Sequence, residues 1–170
     1  DAARREGEPD LLVWPETAIP DFLRESPSSY GLVRRVVRSG TPLLLGGMDI
    51  EWRDGDAPRY FNTSFLIDPA GRILNQYDKQ HLVLFGEYVP FGLLDTLEQF
   101  LTVTAFNTSP GRGRNLLKVN GSVIGASICY EVVFGEEIVE ALPAAELLVN
   151  VSNDAWFGGS IGPKQHFEIA

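Results

Sequence analysis

Ser122-Val-Ile-Gly-Ala-Ser-Ile-Cys-Tyr-Glu131 decides the fold: an apolar run of strand length up to Cys129 turns polar at once at Tyr130 and Glu131. Just upstream, Asn120-Gly121 is a two-residue hairpin signal, because both residues adopt the positive φ values that such a turn demands. That makes Asn115–Val119 the partner strand of Ser122–Cys129. Downstream, Phe134–Leu142 has apolar residues at helical spacing, and Glu146–Val151 is a further apolar strand.

The same alternation extends towards the N-terminus. Leu11–Trp14 reads as a short buried strand stopped by Pro15. Ser28–Ser39 reads as a helix, with serines at its start, valines at helical spacing and Gly40 as its C-cap. Pro42–Ile50 is the next strand. Tyr60–Asp68 and Arg72–Tyr77 flank the turn Pro69-Ala70-Gly71 and form a second hairpin. Gly162 onward is helical to the end of the chain. Strands alternate with helices while hairpins are inserted, so the expected class is α/β with a mixed sheet covered by helices.

A chain of 170 residues suits one domain with its own core, and its 44% hydrophobic and 22% charged residues are ordinary for a folded domain. The formal net charge of -9 argues against a nucleic-acid partner and against a broad basic surface on anionic lipid. No apolar run reaches the ~18 residues of a membrane-spanning helix, and no signal peptide opens the chain. Starting on Asp1 without Met and stopping inside a helical pattern, the chain is expected to be a piece of something longer. One cysteine excludes an internal disulfide and leaves the redox compartment open.

Reactive side chains fall just past the strand ends, where α/β sheets hold their ligands. Glu16 follows Leu11–Trp14, Lys79 follows Arg72–Tyr77, Cys129 closes its own strand, and Asn153-Asp154 follow Glu146–Val151. Each has a plainer reading when taken alone. Cys129 suits a small core filler, Glu16 a turn cap, and Lys79 a solvated loop charge. Together they make a nucleophile with an acid–base partner and a cation. In water, moving a proton from a thiol to a carboxylate costs about 6 kcal/mol, from reference pKa values of about 8.5 and 4.3. Burial lifts a carboxylate and an adjacent ammonium lowers a thiol, so a Glu–Lys–Cys cluster can do the work of a Cys–His pair.

Four longer strings resemble the carbon–nitrogen hydrolase, or nitrilase, superfamily. They are Leu12-Val-Trp-Pro-Glu-Thr-Ala18, Tyr77-Asp-Lys-Gln-His-Leu-Val-Leu-Phe-Gly-Glu-Tyr-Val-Pro90, Ile128-Cys-Tyr-Glu131 and Asn150-Val-Ser-Asn-Asp-Ala-Trp-Phe-Gly158, followed by Gly162-Pro-Lys-Gln-His166. Within that superfamily they resemble the extracytoplasmic catalytic domain of the bacterial apolipoprotein N-acyltransferases. Leu84 departs from the pattern, standing where a proline usually precedes Phe85-Gly-Glu-Tyr-Val-Pro90.

The resemblance implies an α-β-β-α sandwich over 1–170, incomplete at both ends, with a catalytic triad of Glu16, Lys79 and Cys129. It implies supporting roles for Glu87, Tyr130 and Glu131, and no cofactor or metal. The implied reaction passes an acyl chain from a phospholipid of the phosphatidylethanolamine type, through a Cys129 thioester, to the α-amino group of a diacylated apolipoprotein. The implied location is the bacterial inner membrane, with the catalytic domain on its periplasmic face and the anchor outside this chain. A soluble amidase or nitrilase using water as acceptor, and an inactive binding module, are the rival readings. The combined strings Phe85–Pro90 and Asn153–Gly158 argue against the first, and retention of Glu16, Lys79, Cys129 and Glu87 against the second.

Three further features carry weaker expectations. Phe91–Thr108, rich in Phe and Leu, is either a core-packed helix or a mobile lid admitting lipid chains. His81 and His166 lack metal-ligand spacing and are expected to pack or hydrogen-bond. Asn153, Asp154 and Trp156 are expected to shape a turn near the nucleophile, and Gly46-Gly47 and Gly158-Gly159 to permit tight backbone paths.

Overall fold

Two sheets carry the chain in the computed structural model, which describes residues 7–84, 86–88, 108–113 and 116–170. The first sheet contains β1 (Leu12–Val13), β2 (Ile19–Phe22), β3 (Leu43–Glu51), β4 (Arg59–Ile67) and β5 (Ile73–Asp78). Its order is β1-β3-β4-β5, with β2 also on β3. Strands β1 and β2 run parallel to β3, whereas β3, β4 and β5 are antiparallel in turn. The second sheet pairs β6 (Leu116–Val119) antiparallel with β7 (Ser122–Ile128), and β7 parallel with β8 (Leu147–Val151). The single mixed sheet read from the residues alone is therefore two sheets.

The expected hairpin turn is present, with Asn120 at φ 51° and Gly121 at φ 90°. Helix α1 (Pro27–Val37) starts where the Ser26 side chain accepts the Ser29 N–H, and the chain leaves it through Gly40 at φ 98°. Helices α2 (Gly135–Val139) and α3 (Gly162–Ile169) are shorter.

Period-two alternation sorts the apolar side chains into two cores. Leu43, Leu45, Phe65 and Ile67 point to one face of the first sheet and meet Val33 and Val37 of α1. Leu44, Leu66 and Tyr77 point to the other face and meet Leu117, Ile124, Ala126, Ile128 and Val151 of the second sheet. On the outer face of that sheet Gly125 lies against Leu148, Ala141 and Ala145. The layering is that of an α-β-β-α sandwich.

Two elements differ from the sequence reading. Strand β2 was not foreseen, because Ile19-Pro-Asp-Phe22 is short, contains a proline and pairs with a register shift. The helix expected over Phe134–Leu142 contracts to α2, because the chain passes into turns from Glu140 to Ala144. The lid candidate Phe91–Thr108 lies outside the described residues, apart from Thr108.

Candidate active site

β1, β3 and β5 point the same way, and the residues leaving β1 and β5 converge with those leaving β7 and β8. Glu16 reaches this place because β3 carries no side chain at Gly46. A Cβ there would come within 2.4 Å of the Pro15 carbonyl oxygen and 2.6 Å of the Glu16 Cα. Lys79 is pinned by its own backbone: its N–H donates to the Asn62 carbonyl at 2.8 Å, and its carbonyl accepts the Gly111 N–H at 2.8 Å.

Cys129 does not close β7, as its sequence position suggested. It is the first residue of the following 3-10 turn, with φ 53°. Thr17, next to Glu16, also has positive φ, at 48°. Left-handed backbone costs a non-glycine residue of the order of 1–2 kcal/mol. Apart from the hairpin residue Asn120, the described non-glycine residues with positive φ are these two site neighbours.

The charged groups form one buried cluster. The Lys79 ammonium lies 3.0 Å from Glu87 Oε2 and 3.4 Å from Glu16 Oε1, and its side chain is only 1% exposed. Asn62 bridges the two carboxylates, its Nδ2 donating to Glu16 Oε1 at 2.8 Å and to Glu87 Oε1 at 2.7 Å. Backbone N–H groups hold the remaining oxygens: Asn153 donates to Glu16 Oε2 at 3.1 Å, and Val83 to Glu87 Oε2 at 2.9 Å. Glu16, Lys79, Glu87 and Cys129 line one cavity of about 450 Å³, whose other walls include Pro20, Met48, Val83 and Phe157.

Burial alone would drive a proton off Lys79, but the Glu16 and Glu87 carboxylates outweigh it and hold the ammonium above its ordinary range. For the thiol the balance runs the other way. Burial and the Glu16 carboxylate push Cys129 up, against the Lys79 ammonium and a hydrogen bond from Ser152. The lowering expected from the Lys79 ammonium is present but outweighed, so the net shift is upward and the resting sulfur holds its proton.

The other three expected site residues are placed differently from one another. Glu87 joins the cluster. Glu131 is buried away from it, accepting the Tyr77 hydroxyl at 2.8 Å and the N–H groups of Gln80 (2.7 Å), His81 (3.1 Å) and Ile128 (2.8 Å). It therefore ties the loop after Lys79 to the strand before Cys129. Tyr130 is 46% exposed and packs edge-on against Phe134.

Asn62, which bridges the carboxylates, has no counterpart in the sequence reading; its one signal was a polar residue at mid-strand among Asn62, Thr63 and Ser64. Asn153 shapes its turn as expected, its side chain capping Ala155 N–H and donating to Thr17 Oγ1 at 3.0 Å. His81 stacks on Phe134 and faces Glu137, and buried His166 meets Asp154 Oδ1 at 2.8 Å. Among the described residues no three His, Cys, Asp or Glu side chains are grouped to hold a metal ion.

A protein-family model for carbon–nitrogen hydrolases matches residues 1–170. Curated relatives named apolipoprotein N-acyltransferase are 41% identical in Allorhizobium ampelinum, over 95% of this chain and 31% of the relative. The Rhizobium meliloti relative is 39% identical, over all of this chain and 32% of its own length, and the Brucella suis relative is 40% identical, over 95% and 31%. The chain thus spans about a third of these relatives. A crystal structure of a carbon–nitrogen hydrolase from Helicobacter pylori G27 superposes with a TM-score of 0.64 at 16% identity, covering 99% of this chain and 56% of that one, a likeness of fold.

Proposed function

The chain belongs to the carbon–nitrogen hydrolase family, and from that premise we propose that it is the acyl-transferring part of an apolipoprotein N-acyltransferase in which Cys129 carries the acyl group. The observation that carries this reading is one cavity lined by a thiol, a buried ammonium and two carboxylates. The name of those relatives suggests the acceptor, an apolipoprotein amine, and the phospholipid donor is part of the proposal.

Because the resting thiol is protonated, the first step needs a base. The Glu16 carboxylate takes the Cys129 proton while the sulfur attacks the ester carbonyl of a phospholipid. The carbonyl electron pair moves onto oxygen, where the Lys79 ammonium stabilises it. The carbonyl re-forms and the lysophospholipid oxygen departs with the proton from Glu16, leaving a thioester. The α-amino group of a diacylated apolipoprotein then attacks the thioester and surrenders a proton to Glu16. The departing sulfur takes that proton and the thiol is restored.

Glu87 and Asn62 hold Lys79 and Glu16 in register throughout, and Glu131 steadies the loops that bear Lys79 and Cys129. Phosphatidylethanolamine is the proposed donor, and the inner membrane, facing the periplasm, the proposed place of work. Among the described residues no helix is long and apolar enough to cross a membrane, so membrane attachment is assigned to other parts of the intact protein.

Mass spectrometry of the intact protein after incubation with phospholipid tests the proposal. An acyl adduct on Cys129 is expected, removable by hydroxylamine and absent from Cys129→Ala. Adduct on another residue, or none in an active preparation, sinks it. Release of free fatty acid at the same rate with and without an apolipoprotein acceptor would instead favour water as the acceptor.

A further inference from the structure

The two oxygens of Glu16 are held unequally. Oε1 takes two donors, Asn62 Nδ2 at 2.8 Å and the Lys79 ammonium at 3.4 Å. Among the described residues Oε2 takes one, the Asn153 backbone N–H at 3.1 Å. A carboxylate has about two lone-pair sites on each oxygen, so Oε1 is filled and Oε2 keeps one site free. Where that free site points depends on where the Asn153 N–H stands.

A second bond ties Asn153 to the same segment. Its Nδ2 donates to Thr17 Oγ1 at 3.0 Å, beside the left-handed backbone that Thr17 adopts at φ 48°. Its Oδ1 accepts the Ala155 N–H at 3.1 Å and so caps the 3-10 turn Asp154–Phe157. That turn is latched in its own right. Asp154 Oδ1 accepts the Ser152 hydroxyl at 3.2 Å and lies 2.8 Å from Nδ1 of His166, on α3. His166 is buried, and its Nε2 has no hydrogen-bond partner among the described residues. A hydrogen on Nε2 would be stranded, so the ring carries it on Nδ1 and donates it to the Asp154 carboxylate.

We propose that Asn153 is a positioning residue for Glu16: its N–H and its side chain hold that carboxylate so that Oε2 is the oxygen with room for a proton, while Thr17, Asp154 and His166 hold Asn153. The inference rests on Glu16 being the base in acyl transfer. Asn153 itself gains and loses no proton, and no covalent bond is made or broken by it.

Two readouts on the intact protein test it. Acyl transfer from phosphatidylethanolamine vesicles to a diacylated lipopeptide gives kcat and KM. The pH profile of Cys129 alkylation by iodoacetamide, read by peptide mass spectrometry, gives the midpoint of the thiol. The charged groups that act on that thiol are Glu16, which raises it, and Lys79, which lowers it, with Glu87 acting through Lys79. In Asn153→Ala the carboxylate is present but misaimed, so kcat should fall about 10- to 100-fold with KM little changed. Held less firmly, Glu16 also acts less on the thiol, so the midpoint should fall, by less than in Glu16→Gln. In a Glu16→Gln background the charge is already gone, and Asn153→Ala should shift the midpoint no further. A turn that only supported the fold would give equal shifts in both backgrounds. Thr17→Val should lower kcat about tenfold, and Thr17→Ser, which keeps the hydroxyl, should restore it.

An unchanged or raised midpoint in folded Asn153→Ala overturns the proposal, as does an equal shift in the Glu16→Gln background. If Asn153→Ala fails to fold, the Thr17 pair decides, and a Ser variant as slow as Val overturns it. Failure of the reading beneath it would show separately, as acyl transfer surviving in Glu16→Gln. The alkylation midpoints need no turnover and would still report whether Asn153 holds the carboxylate.

Discussion

Cys129 sits between groups that pull its proton in opposite directions, and each pull is open to substitution. Burial is common to all variants, so removing Glu16 removes the next-largest influence that keeps the thiol neutral. Glu16→Gln is expected to lower the alkylation midpoint of Cys129 while abolishing the proposed acyl transfer, in which Glu16 is the base. Lys79→Met should raise the midpoint. It should also destabilise the protein by about 3–5 kcal/mol, because two carboxylates remain buried without their cation; a urea melt measures this. Asn62→Leu leaves Glu16 and Glu87 each short of a donor, and a fall in kcat of about 10- to 100-fold is expected with the fold retained.

The reactive types at strand ends — Glu16, Lys79 and Cys129 — were legible in the sequence because strand length and polarity change mark where each strand stops. Asn62 was not, because a mid-strand position says nothing about which loop will cross above it. The net direction of the thiol shift was not legible for a related reason: the lowering by a nearby cation was inferable, but the larger contributions of burial and Glu16 needed coordinates.

At the level of elements, two contacts hold the site together. Glu131 joins the end of β5 to the end of β7 through four donors. Glu131→Gln replaces an acceptor oxygen with an amide NH2 donor facing N–H groups, so a loss of about 2–4 kcal/mol is expected, seen as a lower Tm. The Tyr77 hydroxyl is held neutral well above the ordinary tyrosine range by burial and by the Glu131 carboxylate. A raised folded-state pKa contributes stability that is full below the unfolded value of about 10 and declines as pH rises beyond it. Tyr77→Phe should therefore lose stability at neutral pH yet show a shallower decline in alkaline urea melts.

Gly46 is the second contact. Gly46→Ala pushes a methyl group into the backbone at Pro15 and Glu16, so both stability and kcat should fall, the former by about 1–3 kcal/mol. The Asn120-Gly121 hairpin was readable because its turn chemistry is local. β2 was hidden, since its pairing with β3 depends on tertiary placement rather than on its own residues.

Across the whole molecule, two cores of different character flank the first sheet. The core against α1 is aliphatic and aromatic throughout, whereas the core between the sheets runs up to Cys129 itself. Truncation at Ile128, which is fully buried between the sheets next to Cys129, should cost about 2–5 kcal/mol as Ile128→Ala and slow the proposed acyl transfer as well. Leu45→Ala, on the α1 side, should match it in a denaturant melt while leaving kcat nearly intact. The α/β class was readable from alternation. The sandwich, and with it the division into two sheets, came only from the family-like strings, because nothing local distinguishes a strand that continues a sheet from one that starts another.

The register of β7 against β8 carries a consequence for insertions and deletions. Successive residues of a strand face opposite sides, so removing one residue from Leu147–Asn150 would bring Asn153 to the level of Cys129 and send Ser152 to the other face. An edit of the same size between Asp54 and Asp56, in the turn between β3 and β4, moves no residue of the cavity. The tolerance of this chain to length change is therefore set by how many residues lie between a paired position and the sulfur, and along β8 that allowance is zero.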